Sequence, residues 1–230
     1  MQPLAIDLFC GLGGWTEGLL AEGYYVVGFD IEQHVYGEHR YPAQLVIQDV
    51  LTLHGAQFRD AALIVASPPC QAYSWRAMPW KAAKAAPPPD NSLFEACFRI
   101  QREASEAAGR HIPMVVENVR GAEKWVGRAR WNFGSFYLWG DVPALMPIVI
   151  GRQVMKAGVT HRSNGATNFH GRKCGGGWFG KGNNQSLMRQ HSSGSAKRKL
   201  AQATIAKIPA PLARHIARTY FPSTSHPEHR

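Results

Sequence analysis

No stretch of this sequence approaches the about 18 uninterrupted apolar residues that a membrane-spanning helix needs, so a span is excluded. The start, Met1-Gln2-Pro3-Leu4-Ala5-Ile6-Asp7, lacks the basic region and apolar stretch of a secretory signal. Cysteine is scarce. Cys10, Cys70, Cys97 and Cys174 are too scattered for a disulfide framework, and a reducing cytoplasm fits them best. No internal repeat is visible, and nothing calls for an obligate protein partner. The most informative absence is of acid. Residues 151–200 hold 10 Lys and Arg and no Asp or Glu, whereas residues 1–150 hold 12 bases against 15 acids. Such a block beside a near-neutral domain implies a polyanionic partner, nucleic acid before any other, with a merely solvated basic loop as the alternative.

What is present is enough for one sizeable core with a small appendage: 230 residues, 45% hydrophobic, with a net charge of +10. Short β-branched runs alternate with helical stretches. Leu4 to Phe9, Tyr25 to Phe29, Leu45 to Ile47, Ala62 to Ala66 and Met114 to Val116 read as strands. Helices are expected from Trp15 to Glu22, closed by Gly23, and from Ser92 to Ala108, capped by Asn91. Such alternation argues for a parallel sheet with helices on both faces. Phe136 to Leu138 and Ile148 to Ile150 are further candidate strands, and Lys197 to Ala206 and Ala210 to Tyr220 candidate helices. Residues 151–196 are glycine-rich with no clean period, and their amides and aromatics (Asn164, Asn168, Trp178 and Asn183 among them) are of types that stack on or read bases.

Every informative polar group sits where a strand stops. Gly11-x-Gly13-Gly14 lets the backbone approach a ligand closely. A dinucleotide fingerprint would need glycine at position 16, where Thr16 stands, so a nucleoside without a pyrophosphate fits better. Asp30 is placed to accept from ribose hydroxyls and Asp49 from an adenine amino group. After the fourth strand, Pro68-Pro69 stop the ladder and stiffen the turn that presents Cys70, a candidate nucleophile; the alternative is an inert packing thiol. Glu117 ends the next strand, as an acid able to share a proton with a heterocycle or as a partner for a nearby arginine. His161, His170, Cys174 and His191 match no tight ligand spacing, so no metal is expected.

Asp7-Leu8-Phe9-x-Gly11-x-Gly13-Gly14, then Pro68-Pro69-Cys70-Gln71-Ala72-Tyr73-Ser74, then Glu117-Asn118-Val119 resembles the ordered motif set of C5-cytosine DNA methyltransferases. Lys207-Ile208-Pro209-x-x-Leu212-Ala213-x-x-Ile216-Ala217 is similar to the family's last motif, and the compact size and Leu138-Trp139-Gly140-Asp141 look like its small phage-type members. The family's Gln-x-Arg-x-Arg motif is not visible, with Arg128-x-Arg130 the nearest relic. The Gly-Asn pair that usually opens the last motif is absent before Pro209.

The resemblance implies an α/β fold: a doubly wound, mostly parallel sheet of the S-adenosylmethionine-dependent methyltransferase type with a short basic C-terminal insertion. Residues 1–150 would be the catalytic and cofactor domain, 151–196 a target-recognition segment, and 197–230 helices that pack back. S-adenosyl-L-methionine would be held by Phe9, Gly11, Gly13, Asp30, Ile31, Asp49, Val50 and Pro68. Cys70 would add to cytosine C6 while Glu117 holds N3. Gln71, Ser74, Asn118, Arg128, Arg130, Arg162, Arg172, Lys173, Lys181 and Arg189 would meet the substrate. That substrate would be duplex DNA with its target cytosine flipped out, under a lid made by Gln71 to Asp90. The same motifs also serve RNA (tRNA) C5-cytosine methyltransferases, and a catalytically silent nucleic-acid-binding homologue would keep the fold alone.

Overall fold

The computed structural model describes residues 1–74, 85, 87–146, 160–163, 167–170 and 195–222. The elements, in chain order, are β1 (Leu4–Leu8), α1 (Gly14–Ala21), β2 (Tyr25–Asp30), β3 (Gln44–Ile47), β4 (Ala61–Ala66), α2 (Ser92–Ala108), β5 (Met114–Asn118), α3 (Glu123–Val126), β6 (Trp131–Phe133), β7 (Phe136–Gly140), β8 (Thr160–Ser163), β9 (Thr167–His170), α4 (Ala196–Ala206) and α5 (Ala210–Thr219). The first seven strands form one sheet in the order β3-β2-β1-β4-β5-β7-β6. The pairs among β1 to β5 are parallel, and β7 runs antiparallel to both β5 and β6. The doubly wound, mostly parallel sheet expected from the strand–helix alternation is present. β8 and β9 form a separate antiparallel hairpin in the glycine-rich region where no period was legible. The expected Ile148–Ile150 strand lies outside the described residues.

Alternation along the central strands sorts their side chains to two cores. Ile6 and Leu8 of β1, with Ile64 and Ala66 of β4, face α2 through Phe94, Cys97, Ile100 and Ala104. Ala5, Leu63 and Val65 face the other way, toward Trp15 and Leu19 of α1 and Leu212, Ala213 and Ile216 of α5. Asn91 does not cap α2 with its side chain. Asp90 accepts the Ser92 amide instead at 2.8 Å, while Asn91 Oδ1 accepts from the Tyr73 hydroxyl at 2.9 Å. The β3-to-β4 connection has no helix. Two 3₁₀ turns, Val50–Thr52 and Gly55–Phe58, take its place and pack under α2.

α5 lies on α1 at close range because both helices carry small residues where they meet. A Cβ at Gly18 would stand 2.4 Å from Ala213 Cβ and 2.7 Å from its carbonyl carbon. Glu22 then accepts from Arg214 Nε at 2.6 Å and Arg218 Nε at 2.8 Å, and the Tyr24 hydroxyl donates to Ala217 O at 3.0 Å. Gly18→Ala should therefore lower stability by about 1–3 kcal/mol, although alanine favours a helix, because the added methyl meets backbone that must shift. The denaturation midpoint measures this. An unchanged or raised midpoint would mean that α5 is free to move away.

Candidate active site

The sheet reverses its winding between β1 and β4, and in such sheets the crevice at the carboxyl ends of the strands is where ligands bind. A cavity of about 480 Å³ lies there. Its walls come from the Phe9–Leu12 turn, Gly14 and Trp15, the end of β2 with Asp30, Ile31 and Glu32, the Asp49–Val50 corner, Ser67 to Gln71, Glu117, and Lys199, Ala203 and Ala206 on α4.

The turn after β1 is built for close approach. β1 stops at Leu8, one residue short of the expected end, because Phe9 takes a positive φ of 58°. A left-handed conformation is uncommon for a residue with a side chain, and it turns the backbone into the cavity. Gly11 follows at φ 51° with no heavy atom within 4 Å of where its Cβ would be, so the space beside it is open to a ligand. Gly13 does not line the cavity. It begins α1 in the left-handed region, with Pro42 2.6 Å from its would-be Cβ. Thr16 occupies the position where a dinucleotide site would have glycine, and its hydroxyl is committed below the turn. It lies 2.6 Å from Asp7 Oδ2 and 2.6 Å from the Tyr41 hydroxyl.

Asp7 is wholly buried on the α1 side of β1, and burial pushes its carboxyl up to about 8, with Asp30 adding repulsion and Thr16 opposing the shift. The sign of the consequence follows. A group whose proton is held more tightly in the folded state contributes fully below its unfolded value of about 4. That contribution is lost as pH rises through about 8. Across this window the group alone should cost about 1.4 kcal/mol per pH unit. Asp7→Asn should flatten the fall in stability between those limits, read from denaturation midpoints over a pH series. Parallel profiles for wild type and variant would show that Asp7 titrates normally.

Asp30 stands at the rim. Its Oδ2 accepts the Gly11 amide at 2.9 Å, and its Oδ1 lies 3.6 Å from His34 Nε2. Burial works against its charge, but the hydrogen bonds from His34 and Gly11 outweigh it and hold the carboxyl below its usual range. Contact with Asp30 in turn raises the His34 imidazole. Ile31 is 70% exposed and Val50 buried, both on the cavity wall. Asp49 lines the same wall, with one oxygen already accepting the Leu51 amide at 2.9 Å.

Three of the four cysteines are described, and their settings differ. Burial pushes the Cys10 thiol up, with Asp7 and Asp30 adding to it, and burial does the same to Cys97. Both are held away from the thiolate form that nucleophiles need. Cys70 is half-buried on the cavity wall, with φ −94° and ψ 0°. Glu117, buried at the end of β5, lines the same cavity one strand away. Gln71 lines it as well, on the exposed side.

Several residues expected to meet the substrate do other work. Asn118 is 1% exposed and off the cavity wall; its Nδ2 donates to Pro68 O at 3.0 Å and its Oδ1 accepts the Val119 amide at 2.8 Å. One end of that amide is spent on the Pro-Pro-Cys loop and the other on the backbone that follows β5. Ser74 Oγ donates to Cys70 O at 2.8 Å and likewise braces the loop. Arg128 and Arg130 are exposed on the approach to β6, away from the cavity. Arg162 falls in β8, whereas Arg172, Lys173, Lys181 and Arg189, with Cys174, lie outside the described residues, as does most of the expected lid. Sequence reasoning missed Trp15, Ser67, His34 and Leu93 as cavity residues, and Lys199 on the α4 wall. The Leu93, Trp15 and Lys199 spacings carry only a helical period, which does not tell a cavity face from a core face.

Fold and cavity together define a doubly wound α/β protein with a thiol and a carboxylate facing one crevice at neighbouring strand ends. A family model for C-5 cytosine-specific DNA methylases matches residues 4–124, which span β1 to β5 and carry both groups. The chain belongs to that family. Among solved structures it is similar to a protein described as a DNA modification methyltransferase encoded within an E. coli prophage, at 26% identity over 55% of this chain and 35% of that one, with a TM-score of 0.37. It is also similar to the Dnmt2 methyltransferase of S. pombe (18% identity, 55% and 37% of the two chains, TM-score 0.39) and to the Entamoeba histolytica methyltransferase EhMeth (16%, 55% and 41%, 0.33). The chain thus spans little more than a third of the length of the first two. At these TM-scores the superpositions carry no weight beside the family match. No curated protein matches the chain. Among the described residues, no helix is long and apolar enough to cross a membrane, and no cluster of His, Cys, Asp and Glu could hold a metal ion.

Proposed function

We propose that the chain methylates C5 of cytosine in DNA, with S-adenosyl-L-methionine as methyl donor. The observation that carries this reading is the shared cavity. Cys70 and Glu117, from the ends of neighbouring strands, face the same space as the Gly11 turn, Asp30 and Asp49. The residues present fit the cofactor: open space beside Gly11, a carboxylate at Asp30 suited to ribose hydroxyls, and Ile31 and Val50 as apolar faces for a flat ring. When bound there, the cofactor supplies an electrophilic methyl group on a positively charged sulfur.

The chain's own residues make C5 reactive. Cys70 Sγ bonds to C6 of the flipped-out base, and the displaced electron pair is taken up as Glu117 holds a proton at N3. C5 then has enamine character and bonds the methyl group as the donor's methyl–sulfur bond breaks, that bond's electron pair staying on sulfur. Loss of the C5 proton to a base drives elimination, which breaks the C6–S bond and returns the Cys70 thiolate. A target inside a duplex must leave the stack to reach Cys70, at about a few kcal/mol. The acid-free block from 151 to 200 is the source of phosphate contacts in this reading, including Arg162, Arg172, Lys173, Lys181 and Arg189. The test is transfer of labelled methyl from the cofactor to duplex DNA, single-stranded DNA and tRNA, with the product base identified. 5-Methylcytosine in duplex DNA is the expected result. Label on tRNA alone would move the substrate to RNA, and label on none of the three would remove the activity.

A further inference from the structure

Cys70 is carried on a loop that cannot hold itself in place. Pro68 and Pro69 have no amide hydrogen, so the backbone between Ser67 and Cys70 has no donors with which to anchor the turn. The anchors come from elsewhere. The Ser67 amide donates to Leu8 O at 3.1 Å, Asn118 Nδ2 to Pro68 O at 3.0 Å and Ser74 Oγ to Cys70 O at 2.8 Å. Cys70 O also accepts the Tyr73 amide at 3.1 Å, and a further bond crosses from α1: the Trp15 indole Nε1–H donates to Ser67 Oγ at 3.0 Å. Trp15 is 2% exposed, and an indole N–H is a donor only, which when buried needs an acceptor. Ser67 meets that need and fixes the ring and the loop relative to each other.

The position of this bond gives it a consequence. Trp15 stands in the first turn of α1, directly after the glycine turn, and Ser67 is the last residue before Pro-Pro-Cys. Both line the cavity that also runs beside Gly11, so a ligand filling it would lie against two residues joined by this bond. We propose that Trp15 is a positioning residue: its bond to Ser67 couples occupancy of the cofactor half of the cavity to the placement of Cys70. This inference rests on the function proposed above. Nucleophilic attack is sensitive to such placement, since a displacement of about 1 Å costs on the order of 100-fold in rate.

Trp15→Phe keeps an aromatic ring but removes the donor together with part of the buried indole, whereas Ser67→Ala removes only the acceptor and so isolates the bond. Two readouts serve. The first is the single-turnover rate at which Cys70 forms a denaturant-resistant adduct with a 5-fluorocytosine duplex at saturating S-adenosylmethionine. The second needs no turnover: the rate at which iodoacetamide alkylates Cys70, mapped by mass spectrometry, with and without S-adenosylhomocysteine. Each single variant should slow adduct formation by about 10- to 100-fold, with S-adenosylhomocysteine affinity by calorimetry within about threefold of wild type. The double variant should be no slower than the slower single, because both remove one bond. Wild type should show a change in Cys70 alkylation rate when S-adenosylhomocysteine binds and both singles should lose it; a wild type with no such change would overturn the coupling. Losses that multiply in the double variant, an alkylation response that survives, or a defect confined to cofactor affinity would each overturn the coupling. A wild type that forms no adduct at all would instead fail the proposed function, and the inference with it.

Discussion

Cys70→Ser should abolish methyl transfer, with turnover falling by at least about 1,000-fold while S-adenosylhomocysteine still binds with unchanged affinity. The expectation comes from comparison among the thiols as much as from the position of Cys70. Cys10 also lines the cavity, but burial and two neighbouring carboxylates push its thiol up. Cys97 is wholly buried under α2, between Phe94 and Ile100 on the same helix face. Cys70 alone among the described cysteines combines partial exposure with a rigid mounting behind two prolines. Serine keeps the size and the backbone, so the cavity should survive the change, and calorimetry separates a lost nucleophile from a lost fold. Residual turnover within tenfold of wild type would reassign the nucleophile.

Asp30→Ala should weaken S-adenosylhomocysteine binding by about 1–3 kcal/mol, roughly 5- to 150-fold, with ribose hydroxyls left without their acceptor. Asp30 does two things at once, since it also accepts the Gly11 amide at 2.9 Å and so sets the glycine turn. Asp30→Asn keeps a carbonyl oxygen for that amide, so its loss should be the smaller of the two. Calorimetry showing unchanged affinity in both variants would remove Asp30 from the cofactor site. An equal loss in both would assign the effect to the charge rather than to the turn.

The parts of this protein that could be read from its sequence are those with a local signature. Short β-branched runs ending in Asp30, Cys70 and Glu117 placed three groups at strand ends, and parallel pairing brought those ends to one crevice. Edges and connections were less legible. β6 is three residues long with Trp131 and Asn132 exposed, so it has no apolar alternation to reveal it. The β3-to-β4 connection uses 3₁₀ turns, with Asp49 and His54 accepting the amides of Leu51 and Ala56, although crossovers between parallel strands usually run through an α-helix. Asn118 and Ser74 were of the right type to meet a substrate, and only the three-dimensional arrangement shows Asn118 Nδ2 turned to Pro68 O and Ser74 Oγ to Cys70 O. The Trp15–Ser67 bond joins residues 52 apart, and no spacing rule announces such a pair. Phe9 reads as the end of a strand by composition, yet its positive φ makes it part of the turn.

The most direct test of the central claim is to trap the covalent intermediate and find where it is attached. Fluorine at C5 cannot leave as a proton does, so elimination fails after methylation and the Cys70–C6 bond should persist. Wild-type protein incubated with S-adenosylmethionine and a 5-fluorocytosine duplex should yield a complex that survives denaturant, and digestion with mass spectrometry should place the modified base on the peptide containing Cys70. A complex mapped to Cys10 or Cys97, or the same complex formed by Cys70→Ser, would contradict the account.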